Sequence, residues 1–365
     1  MEIYIGFEGQ HRTFQEPLEE LRAFQQSEVP SVFAAAERAL KAGRYVAGFL
    51  SYEAGYAFEE VFASMPPCGF PLIYFGVFER MEHDHSARSA AHREGFRLQR
   101  TLKVPPDRYT ANIQTIREYI RNGDVYQITY CVKNELQCVG DSKRVFHELL
   151  RRQPVPYPAR VKTSEFDILS LSPELFFCKR GTHVVTKPMK GTWKRGRTFL
   201  TDWINRRRLH FDEKNRAENV MIADLLRNDL GRIGNTVRVP KLFEVASYTT
   251  LHQMTSTVTA EVPAQISAYE MFKALFPSGS VTGAPKIRAM QIIREIEPEP
   301  RHIHTGAIGF MTPEREMFFN VAIRTLLLRG DIGEMGVGGG IVWDSTPEGE
   351  YAECQIKSDF LRCGV

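Results

Sequence analysis

The sequence of 365 residues lacks the features that define several large classes of protein. It has no apolar run near the ~20 residues that span a bilayer, and residues 1–5 lack the basic and apolar regions of a signal peptide. The net charge of +3 is small, and the basic runs at 194–197 and 206–208 carry no interleaved aromatic motif. We therefore expect a cytoplasmic protein that binds neither a membrane nor nucleic acid.

Cysteine is also scarce. The six cysteines form no C-x-x-C pair, so they match neither a zinc site nor the disulfide framework of a small secreted domain. We expect free thiols. What the chain does contain is 43% hydrophobic and 25% charged residues, which is the composition of an ordinary globular protein with a sizeable core.

Hydrophobic periodicity and turn residues predict alternating helices and short strands. Ser31 and Asp107 are expected N-caps, Gly43 and Gly123 are expected helix ends, and Pro285 is expected at the first position of its helix. The predicted helices are 31–42, 107–123, 141–152, 213–228, 265–276, 285–296 and 347–362, and the predicted strands are 45–52, 72–78, 124–136, 305–311, 317–328 and 334–343. The last three strands are joined by short turns, as in an antiparallel meander, whereas residues 81–92 have the composition of a solvated connection. The pattern predicts an α+β fold with large antiparallel sheets and helices outside.

Lys190 lies in a segment, residues 187–192, that has the composition of a constrained turn. Pro188 fixes its own φ, and Gly191 permits backbone geometry that is closed to other residues. A lysine on such a turn can be held in one direction. By itself the segment also fits an ordinary solvated turn.

Three glutamates have the spacing of a cation site. Glu350, Glu353 and Lys357 are spaced i, i+3 and i+7 and share one face of the last predicted helix, and Glu218 lies on an earlier helix. Carboxylates of this kind suit Mg²⁺, although an ordinary charged helix face with an i,i+4 pair has the same pattern. The glycine-rich strand end at 336–342 favours the first interpretation, because glycine there indicates close approach of a ligand or another backbone.

Two further features predict an anion site. Residues 276–290 form a small-residue loop that runs into a helix, where exposed N–H groups and the Ser280 and Thr282 hydroxyls suit a carboxylate or a phosphate. The spacing is not that of a P-loop. Arg324 is predicted on one face of an otherwise apolar strand, where it holds either an anion or a buried ion-pair partner.

Together these segments resemble the chorismate-binding enzymes, from about residue 105 to the C-terminus. The motifs are Ser-Pro-Glu at 172–174, the Lys190 segment, Arg-Ala-Glu-Asn at 216–219, the loop at 276–286, Ala-Ile-Arg-Thr at 322–325 and Glu-Tyr-Ala-Glu-Cys-Gln-Ile-Lys at 350–357. The resemblance implies one large unit with two antiparallel sheets packed together. Residues 105–365 would be its catalytic region, and residues 1–104 an N-terminal α/β segment of the same unit.

The resemblance also implies roles for individual residues. Glu218, Glu350 and Glu353 would hold Mg²⁺, and the ion would hold the ring carboxylate of chorismate. His252 corresponds to a histidine near the leaving group. The implied substrate contacts are Ser280, Arg324, Gly340, Lys357, Gln127, Thr192 and His304. The sequence departs from the family pattern where Asn215 replaces a frequent carboxylate and where His304 replaces a usual tyrosine.

Two positions discriminate between branches of the family. Relatives that make anthranilate carry alanine where this chain has Lys190, and relatives that add water to chorismate carry a lysine base where it has Gln127, an amide that cannot deprotonate water. The resemblance therefore implies an Mg²⁺-dependent transferase of the aminodeoxychorismate synthase component I branch, which serves para-aminobenzoate and folate synthesis. Lys190 would attack the ring with Glu174 as general acid, in a substitution divided into two covalent steps.

Alternatives and partners complete the prediction. The enzymatic alternative is anthranilate synthase component I, which makes anthranilate and pyruvate for tryptophan synthesis, and the alternative of another class is a non-catalytic binding module. Because the chain contains no evident Cys-His-Glu amidotransferase arrangement, ammonia is expected from a separate glutamine amidotransferase subunit. The sequence stops at Val365, and we expect no fused lyase.

Overall fold

Short apolar runs separated by turns produce a chain in which strands outnumber helices. The computed structural model describes residues 1–63, 66–83, 96–248 and 251–361. Most of the predicted connection at 81–92 lies outside the described residues. The strands are β1 (Glu2–Phe7), β2 (Gln10–Phe14), β3 (Glu19–Ala23), β4 (Tyr45–Leu50), β5 (Ile73–Phe78), β6 (Glu82–His83), β7 (Arg97–Leu102), β8 (Gln127–Val139), β9 (Tyr157–Lys162), β10 (Asp167–Ser172), β11 (Leu175–Arg180), β12 (His183–Lys187), β13 (Met189–Lys194), β14 (Asn235–Ser247), β15 (Leu251–Glu261), β16 (Gly283–Ala284), β17 (Ala307–Met311), β18 (Met317–Val321), β19 (Thr325–Arg329) and β20 (Ile332–Ile341).

Helices occupy the outer faces of the sheets. They are α1 (Val29–Lys41), α2 (Pro106–Arg121), α3 (Ser142–Arg152), α4 (Phe199–Phe211), α5 (Glu213–Gly231), α6 (Ala268–Leu275), α7 (Lys286–Ile296) and α8 (Pro347–Lys357). None of the helices in the described part of the chain is long and apolar enough to cross a membrane.

The strands form two antiparallel sheets. The first has the order β16-β8-β20-β19-β10-β9-β1-β2-β6, with β7 beside β8, and the second has the order β13-β15-β12-β11-β18-β17-β4-β5-β3, with β14 beside β15. Strand β1 pairs with β9 and β4 pairs with β17, so strands from residues 1–104 lie within both sheets. The predicted α+β fold with two packed antiparallel sheets is confirmed.

The core is layered. Apolar residues of both sheets, such as Ile3, Phe49 and Leu327, pack between the sheets. The other core groups join α1, α5 and α6 to the second sheet and α2, α3, α7 and α8 to the first. Full burial of a side chain such as Phe49 contributes about 1.5–3 kcal/mol relative to exposure, so the layers fix the relative position of the two sheets.

Helix starts differ from the prediction by two residues at α1, one at α2 and three at α6, and the end of α8 differs by five. Ser31 and Asp107 lie inside the first turns of α1 and α2, because a proline in each first turn starts the helix earlier, where its missing N–H costs nothing. Pro285 precedes α7 instead of beginning it. Gly43 and Gly123 follow α1 and α2 with φ of 79° and 80°, as expected for glycines that end helices.

The segment around Lys190 is a strand and not the predicted turn. Lys190 is the second residue of β13, the outermost strand in the pairing order of the second sheet. The pairing with β15 shifts register within this segment, and Gly191 there has φ of 88°. The unusual backbone expected at Gly191 is present, but pairing with β15 makes the segment a bulged strand.

Two further observations concern helices α4 and α5. Helix α4 was not predicted, because among its 13 residues only Leu209 is buried and no apolar stripe marks it in the sequence. In α5, Val220 is 46% exposed, whereas Ala223 and Leu226 are buried.

Candidate active site

Lys190 reaches from the second sheet to the first. Its Nζ lies 3.1 Å from the position that a Cβ on Gly340 of β20 would occupy, and the side-chain amide of Gln127 on β8 lies against the same point. Any larger residue at position 340 would therefore collide with Gln127 and press on the lysine. The glycine allows two polar side chains to meet at the β20 backbone.

The environment of Lys190 favours the neutral amine. Burial lowers the pKa of Lys190, and the positive charge of Lys357 lowers it further, while Glu218 and Glu174 oppose the shift. The net direction is downward, which increases the fraction of unprotonated amine at neutral pH. An unprotonated lysine amine is a nucleophile.

Glu174 is the candidate proton donor of the site. It lies in the connection from β10 of the first sheet to β11 of the second and is 3% exposed. Burial raises its pKa to about 7, against the hydrogen bond from Ser280 and the charge of Lys190, both of which lower it. A carboxyl group with this pKa is partly protonated at neutral pH and is suited to general acid catalysis.

The loop between α6 and α7 supplies the hydroxyl that contacts Glu174. Ser280 donates a hydrogen bond of 2.5 Å from Oγ to Glu174 Oε1, and the Ser278 and Ser280 hydroxyls lie 3.0 Å apart. The predicted anion loop is therefore adjacent to Glu174. Ser278 was not singled out in the sequence, although it stands in the same small-residue run.

Two buried polar side chains have unused hydrogen-bonding atoms. Neither amide atom of Gln127 and neither ring nitrogen of His304 has a hydrogen-bond partner among the described residues. Burial, together with Arg301 and Lys133, lowers the pKa of His304 to about 3, so its ring is neutral. Leaving a buried polar group unpaired costs about 1–3 kcal/mol, and a polar ligand would recover that cost.

Arg324 is a half-buried cation. It lies on the bend between β18 and β19 with φ of 50°, and not on a strand face as predicted, because the chain turns there from the second sheet to the first. Burial lowers its pKa to about 10, and the Tyr248 hydroxyl opposes that shift. Within the described ranges Arg324 forms no ion pair, so the structure favours the predicted anion over a buried protein partner.

Helix α8 contains Glu350, Glu353 and Lys357, which were predicted to share one of its faces. The Lys357 ammonium donates to the Gly338 carbonyl oxygen at 2.7 Å and pairs with Glu353 Oε1 at 2.6 Å. Glu350 is buried and accepts a 2.7 Å hydrogen bond from the Ser345 hydroxyl. This face therefore contains the ordinary i,i+4 pair and, beside it, a carboxylate without a cationic hydrogen-bond partner.

The carboxylates suit a cation that keeps water and substrate ligands. Burial raises the pKa values of Glu218 and Glu350, which means that neither carboxylate is fully compensated by protein charge. Across the described ranges no three His, Cys, Asp or Glu side chains group closely enough to hold a metal ion by themselves. Mg²⁺ commonly takes one or two carboxylates and completes its shell with water and substrate oxygens, so these residues fit it in that form.

His252 has both ring nitrogens engaged by protein. Its Nε2 lies 2.9 Å from Asp202 Oδ1 and its Nδ1 lies 2.9 Å from Ser247 Oγ, and the ring is fully buried. A carboxylate only accepts hydrogen bonds, so Nε2 carries a proton towards Asp202. In this arrangement neither nitrogen is available to a substrate, and the predicted catalytic role of His252 stays a prediction.

The remaining predicted residues lie at the edge of the site. Thr192 is exposed on β13, opposite Gln253 of β15. Asn215, at the start of α5, packs against Gly191 and donates a 2.8 Å hydrogen bond to Asp212 Oδ1. Its amide therefore stabilises the helix start beside the bulge.

Comparison with known proteins shows the family of the chain. The chain matches the family model of chorismate binding enzymes over residues 3–362. It belongs to this family.

The similar proteins come from two branches of the family. Aminodeoxychorismate synthase component 1 of Escherichia coli (strain K12) is 39% identical over 250 residues, which cover 68% of this chain and 55% of that protein. Anthranilate synthase component 1 of Methanothermobacter thermautotrophicus is 31% identical over 98% of this chain and 80% of that protein. The structure of anthranilate synthase component I from Streptococcus pneumoniae superposes with a TM-score of 0.84 at 25% identity, over 99% of this chain and 92% of that one. The chain thus spans about half the length of the aminodeoxychorismate synthase component 1 relative.

Proposed function

We propose that this chain aminates chorismate, as component I of an aminodeoxychorismate synthase, to give 4-amino-4-deoxychorismate for para-aminobenzoate and folate synthesis. The observation that carries the proposal is the placement of the Lys190 amine, with its lowered pKa, beside Gln127 and Gly340. The similarity to the E. coli component 1 protein supports the same activity. The proposal includes the cytoplasmic location predicted from the sequence.

The proposed chemistry uses two substitutions. Lys190 Nζ forms a bond to ring carbon C2 of chorismate, the ring double bond shifts, and the C4 hydroxyl leaves as water after taking a proton from Glu174. Ammonia then forms a bond to C4, the double bond shifts back, and the C2–N bond breaks with its electron pair returning to Lys190 as the neutral amine. The new ammonium group on C4 gives one proton to the Glu174 carboxylate. Chorismate and ammonia give the amino product and water, and the enolpyruvyl group is retained. Dividing the replacement in this way lowers each barrier.

The charged groups would bind the two carboxylates of the substrate. Arg324 pairs with no anion of the described residues and Lys357 lies beside β20, so both are suited to carboxylate binding. Glu218, Glu350 and Glu353 would hold Mg²⁺, which when bound supplies positive charge for a substrate carboxylate. Gln127 would donate and accept hydrogen bonds with the ring substituents.

Ammonia would come from a separate glutamine amidotransferase subunit. The E. coli relative is named component 1, which implies a second component. Because free ammonia also reaches an open site by diffusion, the chain by itself should show ammonia-dependent activity.

Anthranilate synthesis is the second candidate, since the M. thermautotrophicus relative matches almost the whole chain. The two reactions differ in the fate of the enolpyruvyl group. Incubation of the chain with chorismate, Mg²⁺ and ammonia, followed by mass spectrometry, should give 4-amino-4-deoxychorismate and no pyruvate. Anthranilate with an equal amount of pyruvate would refute our proposal, and binding without turnover would favour a non-catalytic module.

A further inference from the structure

Arg301 uses every donor of its guanidinium group inside the protein. It lies in the segment between α7 and β17 and is 3% exposed. Nε and Nη2 donate to the two oxygens of Glu297 at 2.8 and 2.6 Å. Nη2 also donates to the Thr129 carbonyl at 2.7 Å, and Nη1 donates to the Val281 carbonyl at 2.8 Å and to Thr305 Oγ1 at 3.2 Å. A guanidinium has five N–H donors, and five acceptors are present.

Three of these acceptors lie one or two residues from side chains that we predict to contact the substrate. The pairs are Val281 beside Ser280, Thr129 near Gln127, and Thr305 beside His304. The three segments come from different parts of the chain, namely the loop after α6, strand β8 and the segment before β17. One buried side chain therefore joins three parts of the site.

Anchoring its own segment does not require the guanidinium. The backbone N–H groups of Arg301 and His302 donate to the Glu53 carboxylate at 2.7 and 3.0 Å. Glu53 comes from the short helical segment after β4, so the chain path at 301–302 is fixed independently of the Arg301 side chain. The side chain instead acts on the segments that it contacts.

We propose that Arg301 is a positioning residue for the amination reaction, because its guanidinium fixes the Val281 and Thr129 carbonyls and thereby keeps Ser280 on Glu174 and Gln127 beside Lys190. This inference rests on the proposed function. The guanidinium fork is required, since a lysine ammonium offers three donors and cannot reach all five acceptors.

Glu174 provides a readout that a general loss of packing would not move. The Ser280 hydrogen bond lowers the pKa of Glu174, whereas Arg301 is not among the groups that shift it. Loss of the Ser280 contact should therefore raise the pKa of Glu174. If Glu174 acts as the acid, activity falls as pH rises through its pKa, and this alkaline limb should move to higher pH.

The test measures kcat against pH for Arg301→Lys at saturating Mg²⁺ and fixed free ammonia. Ser280→Ala is the reference for a lost contact, and Thr305→Val is the matched control, because it removes one acceptor without touching the Val281 carbonyl. Misplacement of catalytic groups by about 1 Å can cost on the order of 100-fold, so we expect Arg301→Lys to lose at least about tenfold in kcat. Its alkaline limb should shift upward like that of Ser280→Ala, whereas the limb of Thr305→Val should stay in place.

An unmoved limb in Arg301→Lys overturns the inference. If Ser280→Ala alone shifts the limb, the proposed function stands and only the positioning role fails. Product identity in the unaltered chain tests the proposed function separately. Should Arg301→Lys fail to fold, Glu297→Gln weakens the same clamp at constant size, and it should give a smaller shift in the same direction; no shift there would also overturn the inference.

Discussion

Two kinds of cation with little exposure to solvent occur in the described part of the molecule, and they differ in whether protein groups satisfy their charge and hydrogen-bond donors. Arg301 has five acceptors, and Lys286 pairs with Asp229 at 2.5 Å and donates to the Leu275 carbonyl. Lys190 and Arg324 have lowered pKa values because burial is not offset by neighbouring carboxylates. The first kind holds segments together, whereas the second kind forms no ion pair with any of the described residues.

The difference separates structural charge from ligand-binding charge. Burying an unpaired charge costs free energy that folding alone does not recover. A chain that retains such a charge at several neighbouring positions gains from it only when a ligand arrives. The buried polar atoms of Gln127 and His304 likewise have no hydrogen-bond partner among the described residues, and a ligand would satisfy them.

The largest expected effect is at Lys190. Lys190→Met removes the proposed nucleophile and should lower ammonia-dependent kcat/KM by at least about 1,000-fold. It should also raise the unfolding temperature, because the pKa of Lys190 is lower in the folded chain than its ordinary value of 10.5. The charge therefore opposes folding most strongly below the folded-state pKa, and this opposition disappears as pH rises to the ordinary lysine range. The gain in stability should shrink accordingly towards pH ~10.

Lys194 provides the control for this variant. It is exposed at the end of the same strand, so Lys194→Met should leave both activity and the pH dependence of unfolding near those of the original chain. Retained turnover in Lys190→Met would exclude the covalent route.

The second effect, on stability, tests the satisfied cations. Lys286→Met leaves Asp229 buried without its partner and should reduce the free energy of unfolding by about 3 kcal/mol. Chemical denaturation measures this directly. Because Lys286 donates to Asp229 and the Leu275 carbonyl and to no predicted substrate contact, the KM for chorismate should stay the same in the folded variant. An increased KM with unchanged stability would reverse our distinction between the two kinds of cation.

Much of this distinction was open to prediction from the sequence, but not all of it. Local composition and spacing indicated Lys190 and the α8 glutamates, and the family resemblance implied roles for Glu174 and Gln127. The structure places Lys190, Glu174 and Gln127 together. The contacts of Arg301 could be predicted only in part, because two of its acceptors, the Val281 and Thr129 carbonyls, are backbone groups of distant segments. Local patterns report which face of an element is apolar, whereas hydrogen-bond closure depends on tertiary contacts.

The dependence on tertiary contacts also explains why the strand at Lys190 and helix α4 were not predicted. Strand pairing with β15 decided the conformation at Lys190, where Pro188 and Gly191 by themselves favoured a turn. Helix α4 is held by polar contacts such as Arg195 with Asp202 at 2.7 Å, and these leave no periodic apolar signature. Sequence patterns therefore predicted the layers and the site better than the segments at the sheet edge.

The third effect concerns Glu174. Glu174→Gln removes the acidic proton and should lower kcat by about 100-fold, which is a typical contribution of general acid catalysis. The unaltered chain should lose activity as pH rises through about 7, the raised pKa of this carboxyl group, because only the protonated form donates. In Glu174→Gln this alkaline limb should be absent. A limb that persists in the variant would assign the proton donor to another group.

The smallest effect is expected at Arg324, where the comparison is most exacting because only binding should change. Arg324→Met should raise the KM for chorismate about tenfold and change kcat less, since a carboxylate contact made equally in ground and transition states contributes to binding alone. Stability should not fall, because the substitution removes a half-buried charge that pairs with no anion of the described residues. Arg324→Lys restores charge without the fork and should recover part of the affinity.

Arg329→Met, at the exposed end of β19, is the matched control and should leave KM unchanged. Steady-state kinetics and thermal unfolding of the three variants decide the matter. A destabilised Arg324→Met with normal KM would show that Arg324 is satisfied by the protein after all, and would place it with Arg301.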